Sequence, residues 1–179
     1  MPQARAADRR VTSHGTGAFT RAQFRKLGKR VVIESGVRVF HPERIEIGDD
    51  VYVGHDTILK GYHKNRMIIG SGVWIGQQCF FHSAGGIEIG AHVGIGPGVK
   101  ILTSTHSLDG IDRPILHNPI RVAPVAIGEG SDIGVGAIIM PGVRIGRCVQ
   151  VGAGAVVTMD LDDYVVGAGV PAKVVRVRR

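Results

Sequence analysis

A chain of 179 residues, 44% hydrophobic, is long enough to bury a core as one domain without disulfide or metal staples. Its two cysteines, Cys79 and Cys148, form no disulfide framework, and nowhere do eighteen apolar residues run together. The net charge of +7 sits in the first thirty residues, where Arg5, Arg9, Arg10, Arg21, Arg25, Lys26, Lys29 and Arg30 face Asp8 alone. The remainder is neutral, and aromatic residues do not interleave with the arm, which argues against nucleic acid. The expectation is a cytoplasmic protein with no integral membrane segment. Its basic arm is solvated, or docks on a neighbouring subunit or peripherally on an anionic membrane. An Arg-rich, acid-poor leader also fits an organelle transit peptide.

Residues 1–19 have no apolar period. Thr20 and Gln23 have capping-box spacing and Gly28 supplies a stop, which predicts a short helix from Arg21 to Leu27 burying Phe24 and Leu27. Residues 1–30 are thus a basic arm with a short helix.

From Val31 the period becomes six. Branched apolar residues followed by glycine recur as Ile47-Gly48 and Val53-Gly54, Ile69-Gly70 and Ile75-Gly76, Ile89-Gly90 and Ile95-Gly96, Ile127-Gly128 and Ile133-Gly134, Ile145-Gly146 and Val151-Gly152. Leu59, Phe81, Ile101, Ile139 and Val157 complete each set, so the unit is three hexads, and an incomplete earlier turn carries Ile33 and Val39. A second small or apolar residue sits four after the first in most hexads. Two inward positions per hexad, on strands too short to fold alone, imply stacked coils sharing one core. Three hexads per coil imply an all-β triangular prism, and six coils at strand spacing make it roughly 30 Å long. Coils are expected over 31–106 and 127–162, with 163–179 a tail. Glycine after the inward residue suits a corner; none of the 27 glycines falls in a phosphate-loop motif.

Three interruptions depart from the repeat, and a corner insertion offers free side chains at no cost to the core. They follow Leu59, Phe81 and Ile101, so all fall at one corner of the prism. The third takes twenty-six residues to regain Ile127, and a segment so long and broken by Pro114, Pro119 and Pro124 is either disordered or an active-site lid; 107–126 is expected to be the active-site loop. Candidate functional groups there are His63, His82, Ser83, His106, Asp109 and His117. Trp74, the single tryptophan, precedes inward Ile75 and so faces outward, toward a subunit interface or an acceptor.

The hexads, Thr105-His-Ser-Leu-Asp109 before a long loop, Gly136 to Ile145, Gly152-Ala-Gly-Ala-Val-Val-Thr158 and Gly169-Val-Pro-Ala-Lys-Val-Val175 resemble the hexapeptide-repeat acyltransferases. Within them the chain is similar to sugar and polysaccharide O-acetyltransferases related to maltose and galactoside acetyltransferases. The resemblance implies a left-handed parallel β-helix, although ordinary crossovers are right-handed. It implies acetyl transfer from acetyl-CoA to a hydroxyl of a sugar or sugar-containing acceptor, with no metal and with sites at the clefts of a homotrimer. His106 matches the loop histidine that acts as general base. An imidazole titrates near 6.5, so a neutral ring can take a hydroxyl proton at pH 7 and return it to the leaving thiolate.

Asp109 is a candidate to orient the other ring nitrogen, a role that a backbone carbonyl takes in relatives. The oxyanion donor implied by the family is the Val135 N–H. Backbone groups near Ala153 and Thr158 would hold the pantetheine arm, and Lys173 and Arg176 the CoA phosphates. Two departures, Asp132 where an aromatic is frequent and Gly76 where galactoside-type relatives have an acceptor Asn, leave the acceptor open; His82, Ser83 and Trp74 are the candidates to meet it. Two other classes share the prism, zinc carbonic anhydrases and noncatalytic scaffolds. The eight histidines include no pair five apart of the kind the zinc enzymes use.

Overall fold

A computed structural model describes residues 12–179, so Arg5, Asp8, Arg9 and Arg10 of the basic arm lie outside the described residues. Three sheets of stacked strands form the three faces, with six, eight and six strands. The first face runs from Lys26–Leu27 to Arg144–Ile145, the second from Val32–Ile33 to Ala172–Val177, and the third from Arg38–Phe40 to Val156–Val157. Strands between coils pair in parallel, so each face is a ladder in which equivalent hexads lie in register. Ile47 sits against Ile69, Ile69 against Ile89, Ile89 against Ile127, and Ile127 against Ile145. All five are buried, as are the matching columns through Val53 and Leu59. A fully buried aliphatic contributes about 1.5–3 kcal/mol, so the two inward positions of each hexad, such as Ile69 with Val73 and Ile75 with Cys79, account for the core.

The predicted helix from Arg21 to Leu27 is corrected. Its capping box forms, but only a 3-10 turn follows, Arg21–Gln23. Phe24 is then extended and buried, and Lys26–Leu27 is a strand pairing with Glu46 and Ile47. The backbone donors of Arg25 and Gly28 go to the carbonyls of Pro42 and Ile47 on the next coil. A neighbouring turn thus outcompetes local helix formation, and the first coil is complete. At the other end 163–179 is not a loose tail. Leu161 bridges to Ile145, Val165–Gly169 pairs in parallel with Gln150–Val151, and Ala172–Val177 folds back antiparallel. There are six full turns and a partial seventh. Among the described residues no helix is long and apolar enough to cross a membrane.

The corner glycines have a definite physical reason. A Cβ built on Gly128 would lie 2.5 Å from both the carbon and the oxygen of the Gly146 carbonyl one coil on. Gly70 and Gly76 are closed in the same way by the next coil's backbone. Close approach rather than a left-handed φ demands glycine here. Gly128→Ala is therefore expected to destabilise the fold by about 1–3 kcal/mol, read as a lower urea midpoint; an unchanged midpoint would show that the coils can separate freely.

Candidate active site

All three interruptions leave the third face and return to the first, so they stack along one edge of the prism. Along that edge Phe40, Lys60, His82 and Leu102 form a column in register, each one coil beyond the last. The chain then departs into a hairpin, Ser104–His106 paired antiparallel with Ile120–Val122. The irregular segment is accordingly shorter than 107–126, because its base is a two-stranded ribbon. Buried Thr103 ties that base down: its hydroxyl donates to the His82 carbonyl and accepts from the Gly85 N–H.

His106 ends the outgoing strand, half-buried. Its Nδ1 lies 3.1 Å from the Asn118 carbonyl oxygen. A carbonyl can only accept, so Nδ1 carries the hydrogen, and in the neutral ring Nε2 holds the lone pair. Asn118 is itself pinned. Its Nδ2 donates to the Ser107 carbonyl at 2.7 Å and its Oδ1 accepts from Arg113 Nε at 2.6 Å. The Ser107 N–H donates to the Pro119 carbonyl, closing the knot.

Asp109 does not orient the imidazole. Its carboxylate accepts from the Ser107 hydroxyl and pairs with Arg121. Arg121 is opposite Thr105, and alternation along the strands puts both on the ribbon face away from His106. The Ser107 hydroxyl, then the Arg121 charge, hold the Asp109 carboxyl below its ordinary 3.8. The clasp is thus complete above pH 3.8 and is lost as pH falls through the depressed value.

The other ribbon face carries Ser104, His106, Ile120 and Val122. Ser104, Ile120 and Val122 wall a cavity of about 360 Å³, completed by His14, Lys60, Tyr62, His63, Lys64, Asn65, His82 and Ala84. His106, paired with Ile120, lies on the same ribbon face but is not among the lining residues. His82 is half-buried, its Nδ1 3.3 Å from the Ser104 hydroxyl, and burial, with Lys60 and His14 nearby, pushes its pKa below 6.5. His63 packs on the Tyr62 ring, centroids 4.5 Å apart. Ser83 is corrected: it is fully buried and its hydroxyl donates to the Arg66 carbonyl, which makes it part of the corner and leaves nothing for a substrate. His117 is exposed in a 3-10 turn, Ile115–His117, next to the residue that matters. Trp74 lies on the second face, stacked on Tyr52 at 5.7 Å, remote from this edge.

The remaining predicted residues occupy other places. Val135 and Ala153 lie at the corner between the second and third faces, stacked so that the Gly154 N–H reaches the Val135 carbonyl at 2.8 Å. Both side chains are exposed, and neither residue's N–H meets an acceptor among the described residues. Thr158 follows the third face and so shares the edge of His106, while Lys173 and Arg176 lie exposed on the terminal strand of the second face. One chain therefore brings His106 to one edge and Val135 with Ala153 to another. Among the described residues no group of three or more His, Cys, Asp or Glu is placed to hold a metal.

Sequence reasoning missed Asn118, Tyr62 and Lys60. Asn before Pro119 reads as an ordinary turn signal, and Tyr62 and Lys60 became visible only when their corner stacked beneath the ribbon. Because the Asp109 clasp closes the ribbon, Asp109→Asn is expected to speed amide hydrogen exchange across 104–122 at pH 7 and leave the coils as protected as in the parent. Unchanged exchange in the ribbon would show the clasp contributes nothing.

The family described as the hexapeptide repeat of succinyl-transferase matches residues 124–159. A putative colanic acid biosynthesis acetyltransferase of Escherichia coli, WcaF, is 31% identical over 86% of this chain and 69% of its own length. A galactoside O-acetyltransferase of Lactococcus lactis is 34% identical over 73% of this chain and 62% of its own. A probable acetyltransferase of Mycobacterium tuberculosis is 33% identical over 86% of this chain, which spans only 50% of that relative. Among solved structures, a single-residue mutant of AntD, an N-acyltransferase from Bacillus cereus, in complex with dTDP and coenzyme A, superimposes with a TM-score of 0.79 at 27% identity, covering 88% of this chain and 86% of that one. With these likenesses and the coil architecture together, the chain belongs to the hexapeptide-repeat acetyltransferase family.

Proposed function

We propose that the chain transfers the acetyl group of acetyl-CoA to a hydroxyl of a sugar acceptor, with His106 Nε2 as general base. The observation that carries this is the Nδ1–H bond to the Asn118 carbonyl, which leaves the Nε2 lone pair free to accept a proton on a residue that shares its ribbon face with Ser104, Ile120 and Val122 of the cavity wall. Nε2 takes the hydroxyl proton as the oxygen attacks the thioester carbonyl. The Val135 N–H, which meets no acceptor among the described residues, is the donor for the tetrahedral oxyanion. As the carbon–sulfur bond breaks, the proton on Nε2 passes to the CoA sulfur.

His106 and Val135 occupy different edges, so this reading needs two chains. A closed three-fold assembly lays the His106 edge of one prism beside the Val135 and Ala153 corner of the next. The CoA arm then lies in the cleft, bonded near Ala153 and Thr158, with its phosphates on Lys173 and Arg176. Trp74, exposed on the second face and stacked on the half-buried Tyr52, is assigned to contact between subunits. Support for the donor comes from the coenzyme A held by AntD, and for a sugar acceptor from the galactoside O-acetyltransferase. The same AntD structure contains dTDP, and a variant of it holds dTDP-4-amino-4,6-dideoxyglucose. A hydroxyl acceptor is favoured because the galactoside relative is an O-acetyltransferase, whereas AntD is an N-acyltransferase.

Thiol release from acetyl-CoA over a panel of sugar hydroxyl acceptors tests the activity. His106→Ala is expected to keep its fold and lose at least about a hundredfold in turnover, the scale of a positioned base. Unchanged turnover would overturn the mechanism.

A further inference from the structure

Resting on that reading, we propose that the acceptor sugar carries a phosphate group, and that Lys60 and Lys64 seat this phosphate in the cavity beside His106. The cavity wall contains two lysines and three histidines, and no carboxylate. Neither lysine forms an ion pair with a described residue, whereas the adjacent Arg66 is already paired with Glu46. Two lysines lining one cavity with no carboxylate in its wall repel each other, and a dianion relieves that repulsion. No arginine lines the cavity. The arginine fork suits carboxylate and phosphate alike, whereas lysines bind phosphate as point charges. Two lysine charges without a carboxylate in the wall match a phosphate dianion better than the single charge of a uronate.

The spacing agrees. Lys60 is in register with His82, and His82 with Leu102, two residues before the ribbon. Two strand spacings put Lys60 about 10 Å below the ribbon base. A hexose ring bridges that span with contacts of about 3 Å at either end, phosphate downward and a ring hydroxyl upward toward Nε2. Tyr62, packed between His63 and His82, offers an aromatic surface to the sugar's apolar face. The electrostatic contribution comes from the lysines, because the depressed pKa of His82 keeps that ring neutral at pH 7.

Inorganic phosphate is a probe that does not depend on the identity of the sugar. Titrated into the full chain without acetyl-CoA, it is expected to shift the ring NMR signals of His63 and His82, with binding at least about tenfold weaker in Lys60→Gln/Lys64→Gln. Lys64 is exposed, so Lys64→Gln alone provides a variant with little risk to folding. Unmoved ring signals, or equal affinity in the parent and the double variant, would overturn the proposal. A second titration compares glucose 1-phosphate, UDP-glucose, glucuronate and methyl glucoside. Preference for either phosphorylated sugar supports the assignment and separates a sugar phosphate from a nucleotide sugar; equal or better binding of glucuronate or methyl glucoside refutes it. Because these are binding measurements, phosphate held by the lysines without thiol release would leave the pocket standing and sink the acetyl-transfer reading instead.

Discussion

Everything in this molecule depends on how closely one coil's backbone can approach the next. At Gly128 and its counterparts there is no room for a single methyl group between turns. The inward residues then stack in register at strand spacing, and the core becomes a repetition of one contact. That leaves no freedom inside the prism or at its tight corners. Variation in the coil region is confined to the edge where the third face hands over to the first, and there alone the chain leaves the repeat by more than a turn.

The edge organises two kinds of chemistry at different heights. Near the ribbon, polar groups are fully paired: Thr103, Ser107, Asn118 and Asp109 each spend their hydrogen bonds fixing the backbone that carries His106. Lower down, Lys60 and Lys64 have no partner among the described residues, and the cavity between them is basic and partly aromatic. Satisfied groups make geometry, and unsatisfied charges make affinity. A substrate that spans the two heights meets both.

The sequence made the prism legible because its period is rigid. Residues such as Ile89 and Ile127 occupy equivalent positions on either side of a long interruption, and their pairing follows from counting. His106 was legible for a related reason, since it stands where the count fails. The ends were not. Lys26–Leu27 follows a helix start signal at Thr20 and Gln23 that loses to hydrogen bonds offered by the next coil, and Val165 to Val177 has no hexad spacing although it extends the second face. The role of Asn118 was invisible because it is exercised by a backbone carbonyl, which every residue has. Ser83 and Asp109 looked functional by type, but the hydroxyl is consumed inside the corner and the carboxylate is turned to the far side of the ribbon.

The bond from His106 Nδ1 to the Asn118 carbonyl has a kinetic meaning as well as a static one. Both the neutral and the protonated ring donate through Nδ1, so the same bond survives gain and loss of the second proton. The imidazole can accept a proton at Nε2 and release it there without rotating, changing tautomer or recruiting a new partner. In the proposed mechanism two successive proton transfers would then share one fixed pivot, and no reorganisation would separate attack from departure.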